Sequence, residues 1–128
     1  MCSSDLLRRA LLEGAAKAGV HVRDGGTYGH VDGPRFNTRA EIRSLAAAGV
    51  TAVSQTAGPE TVLSGEAELP YALLGFLTDY ANGVTEEATP VDTLIAMMAA
   101  STDVFARVLA AAVPRVSDPR PPGIVYRF

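Results

Sequence analysis

Gly33-Pro34-Arg35-Phe36-Asn37-Thr38-Arg39-Ala40-Glu41 is the stretch on which the fold of this chain turns. Gly-Pro interrupts regular structure, and Thr38-x-x-Glu41 has capping-box spacing, in which hydroxyl and carboxylate satisfy the free N–H groups of a new helix. The stretch therefore reads as a sharp turn off a strand, leading into a well-started helix. Working backwards, Thr27 to Asp32 is that strand, Gly25-Gly26 turns the chain into it, and Val20 to Asp24 is another short strand candidate. A helix precedes them over about residues 5–18, with Ser4 as N-cap, Leu7, Leu11, Ala15 and Ala18 on one face, and Gly19 as its left-handed stop.

Working forwards, the capped helix presents Ile42, Leu45 and Ala46 and stops at Gly49. Val50 to Gln55 is a strand, and Pro59-Glu60 opens another short helix, since proline suits a first turn. Tyr71 to Thr78 is an almost continuous apolar run after a proline, the pattern of a strand buried on both faces of a parallel sheet. A polar loop spans Ala81 to Thr89. Pro90 starts a helix with Val91, Leu94, Ile95 and Met98 on one face, and Thr102 caps a last helix carrying Phe105, Val108 and Leu109. Pro119, Pro121, Pro122 and Gly123 mark residues 114–128 as an extended tail without a core of its own. Helices alternating with strands predict an α/β layer structure.

The 128 residues suit one domain with a usable core. With 48% apolar and 20% charged residues the chain is unlike a disordered one. A net charge of −3 gives no electrostatic reason for a nucleic-acid or anionic-membrane partner. One cysteine, Cys2, forms no internal disulfide, and the N-terminus lacks the basic-then-apolar order of a secretory signal. No apolar run approaches the roughly 20 residues needed to span a bilayer. The expected location is cytoplasmic.

In open α/β sheets, ligands gather beyond the carboxyl ends of the strands. Three such ends are expected here, leading into Gly33 to Asn37, into Gln55-Thr56, and into Thr78-Asp79. The first two also precede helix N-termini, whose free N–H groups favour anions such as phosphate. A pocket for a polar, partly anionic small molecule follows from that placement.

Gly33 to Glu41, Gln55-Thr56-Ala57-Gly58-Pro59-Glu60 and Leu77-Thr78-Asp79-Tyr80, in this order, resemble the C-terminal half of trimeric purine nucleoside phosphorylases, above all the methylthioadenosine phosphorylase branch. The resemblance implies a three-layer αβα phosphorylase-like domain with a mixed, mostly parallel sheet, truncated at the N-terminus and occupying residues 1–113. It also implies roles. The phenylalanine matching Phe36 packs on ribose and base, Asn37 lies near the purine, Gln55 stands where a methionine lies under the sugar, and Thr56 matches a hydroxyl contacting phosphate and ribose. Thr78 and Asp79 match purine contacts, Asp79 being the acidic residue directed at N7 and a 6-amino group. Val91 matches the position where 5′-hydroxyl-accepting members carry histidine and methylthio-accepting members an apolar residue. Asp79 with Val91 therefore implies 5′-methylthioadenosine as substrate, phosphorolysed to free purine and a pentose 1-phosphate in purine and methionine salvage. Inorganic phosphate is the implied co-substrate, with no other cofactor and no metal, and a homotrimer the implied assembly.

Phosphorolysis requires the purine to leave with N7 protonated, so the matched Asp79 must hold or relay a proton near neutral pH. Desolvation of its carboxyl favours that, and the apolar run before it is expected to provide it. Several positions depart from the pattern. Ala81 stands where the methylthioadenosine branch has a second aspartate, and Gln55 replaces the methionine. The glycine-rich phosphate loop and the phosphate-binding arginine and histidine, which the family carries in its N-terminal half, have no counterpart. The chain is thus expected to be a fragment or shortened gene product. An inactive remnant that binds a purine ligand or a partner chain, and a phosphorylase for 6-oxopurine nucleosides, stand as alternatives. His21 and His30, without metal-ligand partners, are expected to be structural, and Met97-Met98 to fill core.

Overall fold

A computed structural model describes residues 5–116. The described elements are α1 (Asp5–Lys17), β1 (Tyr28–His30), α2 (Arg39–Ala47), β2 (Ala52–Ser54), α3 (Ala57–Glu66), α4 (Val91–Ala112) and a 3-10 turn, Val113–Arg115. β1 and β2 pair in parallel with Tyr28 opposite Ala52, Gly29 opposite Val53 and His30 opposite Ser54. This is an α/β fold whose described sheet is small.

The chain divides into two compact units. One holds the described residues up to Asp24, Pro59–Gly75 and those from Thr102 on; the other holds Gly25–Gly58 and Phe76–Ser101. In the first, the helix ends decide the packing. α1 stops as the sequence predicts: Gly19 takes a φ of 67°, Gly19 N–H bonds Ala16 O at 3.1 Å, and Val20 N–H bonds Ala15 O at 2.9 Å. Those two bonds are the Schellman pattern, which needs a left-handed residue that glycine adopts at no steric cost. Ala10, Ala15, Val108 and Ala112 form the buried core of this unit. The residues are small because α1 and the end of α4 meet at close range; a Cβ on Gly14 would lie 2.7 Å from the Cβ and backbone N of Ala112. Arg107 Nη1 donates to Ala18 O at 3.2 Å, tying the carboxyl end of α1 to α4.

The second unit is a β-α-β element followed by a loop and the part of α4 up to Ser101. Thr51 laces the ladder at its start, its hydroxyl accepting from Thr27 N–H at 2.8 Å and donating to Thr27 O at 3.2 Å. Val31 N–H to Ser54 O, 3.1 Å, continues the ladder at the other end. Ile42 anchors α2 from its buried face, and Gly49, φ 85°, closes the helix with the same two bonds as Gly19, to Ala46 O and Leu45 O. Between Gly33 and Pro34 the peptide is cis.

Four sequence expectations fail. Val20 to Asp24 forms no strand, and neither does Tyr71 to Thr78. The second run is apolar enough for a buried strand, yet it joins no sheet among the described residues, and Leu77 stays 67% exposed. Thr102 is not a helix cap, because α4 runs unbroken through it; the alanines on its N-terminal side favour continuing the helix over stopping it. The face of Val91, Ile95 and Met98, expected to pack inward, is exposed. Val91–Arg115 is accordingly one stretch long and apolar enough to cross a membrane by length and composition, although polar residues interrupt its apolar sequence. Of the expected tail at 114–128, residues 117–128 lie outside the described part.

The α1–α4 approach gives a direct test. Gly14→Ala raises helix propensity, yet it should lower unfolding free energy by about 1–3 kcal/mol, because the new methyl meets backbone that cannot rotate away. Urea unfolding followed by circular dichroism measures it.

Candidate functional site

The parallel register sends two loops away from the same end of the sheet, 31–38 after β1 and 55–56 after β2. These carry four of the residues matched by resemblance: Phe36, Asn37, Gln55 and Thr56. Gln55 ties them together. Its Nε2 donates to Arg35 O at 3.0 Å, and its Oε1 lies so near Gly33 that a Cβ there would approach it to 2.6 Å. The absence of a side chain at Gly33 is what lets the Gln55 amide cross to the neighbouring loop.

Arg35 and Glu41 hold the first loop from its other side. Two parallel bonds join them, Arg35 Nη1 to Glu41 Oε2 at 2.9 Å and Nη2 to Oε1 at 2.7 Å. Arg35 Nη1 also donates to Phe36 O at 3.1 Å. Glu41 Oε2 accepts from Thr38 N–H at 2.7 Å, and Thr38 Oγ1 accepts from Glu41 N–H at 3.3 Å, so the capping box forms as its spacing predicts. The guanidinium, with the Thr38 N–H behind it, holds the Glu41 carboxyl down to about 2. Phe36 rides on this braced segment with 87% of its surface exposed.

Asn37 is half-buried, and its carbonyl accepts from Asn82 Nδ2 at 2.8 Å. That bond draws the loop after Asp79 against the start of α2, where Gly83, φ 83°, lies under the Arg39 side chain. Thr78 Oγ1 donates to Asp79 Oδ1 at 2.9 Å. Asp79 itself is exposed, and no buried strand precedes it, so the expected desolvation is not supplied by the run from Tyr71. Val91 opens α4 with 69% of its surface exposed. The described bonds thus join the loops of Phe36, Asn37 and Gln55 to each other and to Asn82; they do not tie Asp79 or Val91 to that group.

Beneath the Gln55-Thr56 turn stands a residue that the sequence reading passed over. Tyr28 and His30 are two apart in β1 and project to one face. The Tyr28 hydroxyl accepts from Ala57 N–H, the first residue of α3, at 3.1 Å. Burial pushes this phenol up, but bonds from Ala57 N–H, from the Ser54 and Thr56 hydroxyls and from Thr56 N–H outweigh it, and the net displacement is downward. Ser54 Oγ and Thr56 Oγ1 are themselves 3.3 Å apart. The His30 ring lies against Gly58, where any Cβ would overlap it. Period-two alternation was the available signal for Tyr28 and His30; their partners on α3 follow only from the register. Among the described residues no cluster of acidic, histidine and cysteine side chains could hold a metal.

The comparisons with known proteins agree on one family. Residues 2–114 match the phosphorylase superfamily, and the chain belongs to that family. It is 34% identical over 114 residues to the probable 6-oxopurine nucleoside phosphorylase of Thermococcus kodakarensis, covering 89% of this chain and 43% of that protein. It is 40% identical over 100 residues to the S-methyl-5′-thioadenosine phosphorylase of Mycobacterium tuberculosis, covering 77% of this chain and 38% of the relative. Among solved structures, methylthioadenosine phosphorylase from Schistosoma mansoni in complex with adenine superposes with a TM-score of 0.77 at 26% identity, over 91% of this chain and 47% of that one. The chain therefore spans less than half the length of these relatives.

The depressed Glu41 carboxyl gives a pH test. Its folded value lies below its unfolded one, so its contribution is present above about 4.5 and is lost as pH falls through about 2. The wild-type chain should lose urea resistance across that window, whereas Glu41→Gln should start less stable at pH 7 and converge on wild type near pH 2. Unfolding midpoints at pH 7, 4 and 2 measure this.

Proposed function

We propose that this chain carries the purine- and sugar-facing half of a purine nucleoside phosphorylase site, with 5′-methylthioadenosine as the favoured substrate and inorganic phosphate as co-substrate. The observation that carries the reading is the Gln55–Arg35 bond. It joins the two strand-end loops that bear Phe36, Asn37, Gln55 and Thr56, so one bound nucleoside can meet all four. Family membership supplies the reaction class. In this reading Phe36 covers ribose and base, Asn37 and Thr78 flank the purine, Gln55 lies at the sugar, and Thr56 meets phosphate and ribose. Asp79 is the catalytic residue, lending N7 a proton as the glycosidic bond stretches and phosphate approaches the opposite face of the sugar. Its exposed carboxyl acquires the low-dielectric surroundings this needs from the bound purine. Val91 offers only van der Waals contact, which suits a thiomethyl group and leaves a 5′-hydroxyl unpaired.

The same reading includes a three-layer αβα domain over residues 1–113, a homotrimer, a cytoplasmic salvage role, and no metal or cofactor beyond phosphate. A phosphorylase for 6-oxopurine nucleosides is the second reading, favoured by the name of the Thermococcus relative.

Incubating the chain with methylthioadenosine and phosphate should release adenine, measured by chromatography. Intact folding and nucleoside binding without release would instead support a binding remnant. Asp79→Asn should lower adenine release by about 10²–10⁴ if its proton is used. It should also raise the ratio of inosine to methylthioadenosine turnover, because a side-chain amide donates to a 6-oxo group where a carboxylate cannot.

A further inference from the structure

Tyr28 occupies a position that neither the loops nor the motifs explain. Its ring is half-buried in β1, while its oxygen reaches the β2–α3 turn and accepts from Ala57 N–H at 3.1 Å. A turn of polar residues after a strand has many conformations of similar energy. A rigid phenol accepting from the Ala57 N–H selects one of them. The residue selected is Thr56, whose hydroxyl is left 3.3 Å from Ser54 Oγ and beside the first turn of α3. A phenylalanine would fill the same space but would remove this acceptor for the Ala57 N–H.

We propose that Tyr28 is a positioning residue for the oxyanion co-substrate, fixing the hydroxyl of Thr56 toward a bound phosphate through its bond to the Ala57 N–H. This rests on the reading of Thr56 as a phosphate contact. Tyr28 need not touch phosphate; it acts by removing alternatives open to the turn. The consequence is selective. Phosphate affinity depends most on the phenol oxygen, because the nucleoside, which Thr56 also meets at the ribose, takes its main contacts from the Phe36 loop and Asp79.

The test uses the full chain, Tyr28→Phe and Thr56→Ala, with inorganic phosphate and methylthioadenosine titrated separately by calorimetry, and amide hydrogen exchange read at Thr56 and Ala57. Losing one hydrogen-bonded anchor should raise the phosphate Kd about five- to tenfold in Tyr28→Phe. It should speed exchange at the Ala57 amide and leave the methylthioadenosine Kd within about twofold of wild type. A general loss of structure would weaken both ligands together, and that result would overturn the proposal. If Tyr28→Phe fails to fold, Ser54→Ala replaces it, removing one hydroxyl from the same cluster with the same expected split. Phosphate binding that Thr56→Ala weakens but Tyr28→Phe and Ser54→Ala leave unchanged overturns the positioning role alone. A wild-type chain that binds no phosphate overturns the assignment of Thr56, and this inference with it.

Discussion

The parallel pairing of β1 with β2 is the constraint on which the site depends. Parallel strands point their carboxyl ends the same way, so the segments that follow them must emerge side by side. With His30 opposite Ser54, the Gly33 loop and the Gln55 turn emerge close enough for one amide to bridge them. A slip of one residue would turn Tyr28 and His30 to the opposite face, and the α3 start would lose both neighbours. Three residues of ladder are a slender basis for such an arrangement. The lacing by Thr51 at one end and the Val31 bond at the other extend it beyond the strands proper.

Around that pair, most side-chain bonds of the site are local and lie at the surface. The Arg35–Glu41 fork spans six positions, the capping box three, and the Ser54–Thr56 contact two. Exposed ion pairs contribute little to global stability, because water and salt screen them. Their value here is geometric: a planar guanidinium with two parallel bonds admits few orientations. The loop bearing Phe36 is held in shape by directional bonds, not by burial, and the aromatic ring remains available to a ligand or a covering segment.

What the sequence disclosed depended on the range of the interaction. Thr38-x-x-Glu41, Gly19 and Gly49 were legible because a cap is decided within one helical turn. The two strands of the described sheet were legible from their bounding glycines and apolar residues. Tyr71 to Thr78 was misread because a strand exists only in a ladder, and hydropathy cannot say whether a partner is present. Thr102 was misread because a threonine within a helix and a threonine at its start look alike until the flanking alanines are weighed. Of the site, Phe36, Asn37, Gln55 and Thr56 could be grouped from their places after strands. Tyr28 could not, since its role depends on which residue of α3 the register sets above it. The bond between Asn82 and the Asn37 carbonyl, 45 positions apart, left no trace in either local segment.

Glu68 ends α3 with the same pair of bonds that ends α1 and α2, to Gly65 O at 3.2 Å and Ser64 O at 2.8 Å, and with a φ of 57°. The other two helices place glycine there. A residue with a Cβ occupies that left-handed well at a cost of about 1–2 kcal/mol. Among these three matching termini, the last turn of α3 therefore rests in the shallowest conformational minimum. Unwinding that begins there reaches Gly65 and Ser64 first and has the rest of the helix to cross before it disturbs the hydroxyl cluster at the opposite end.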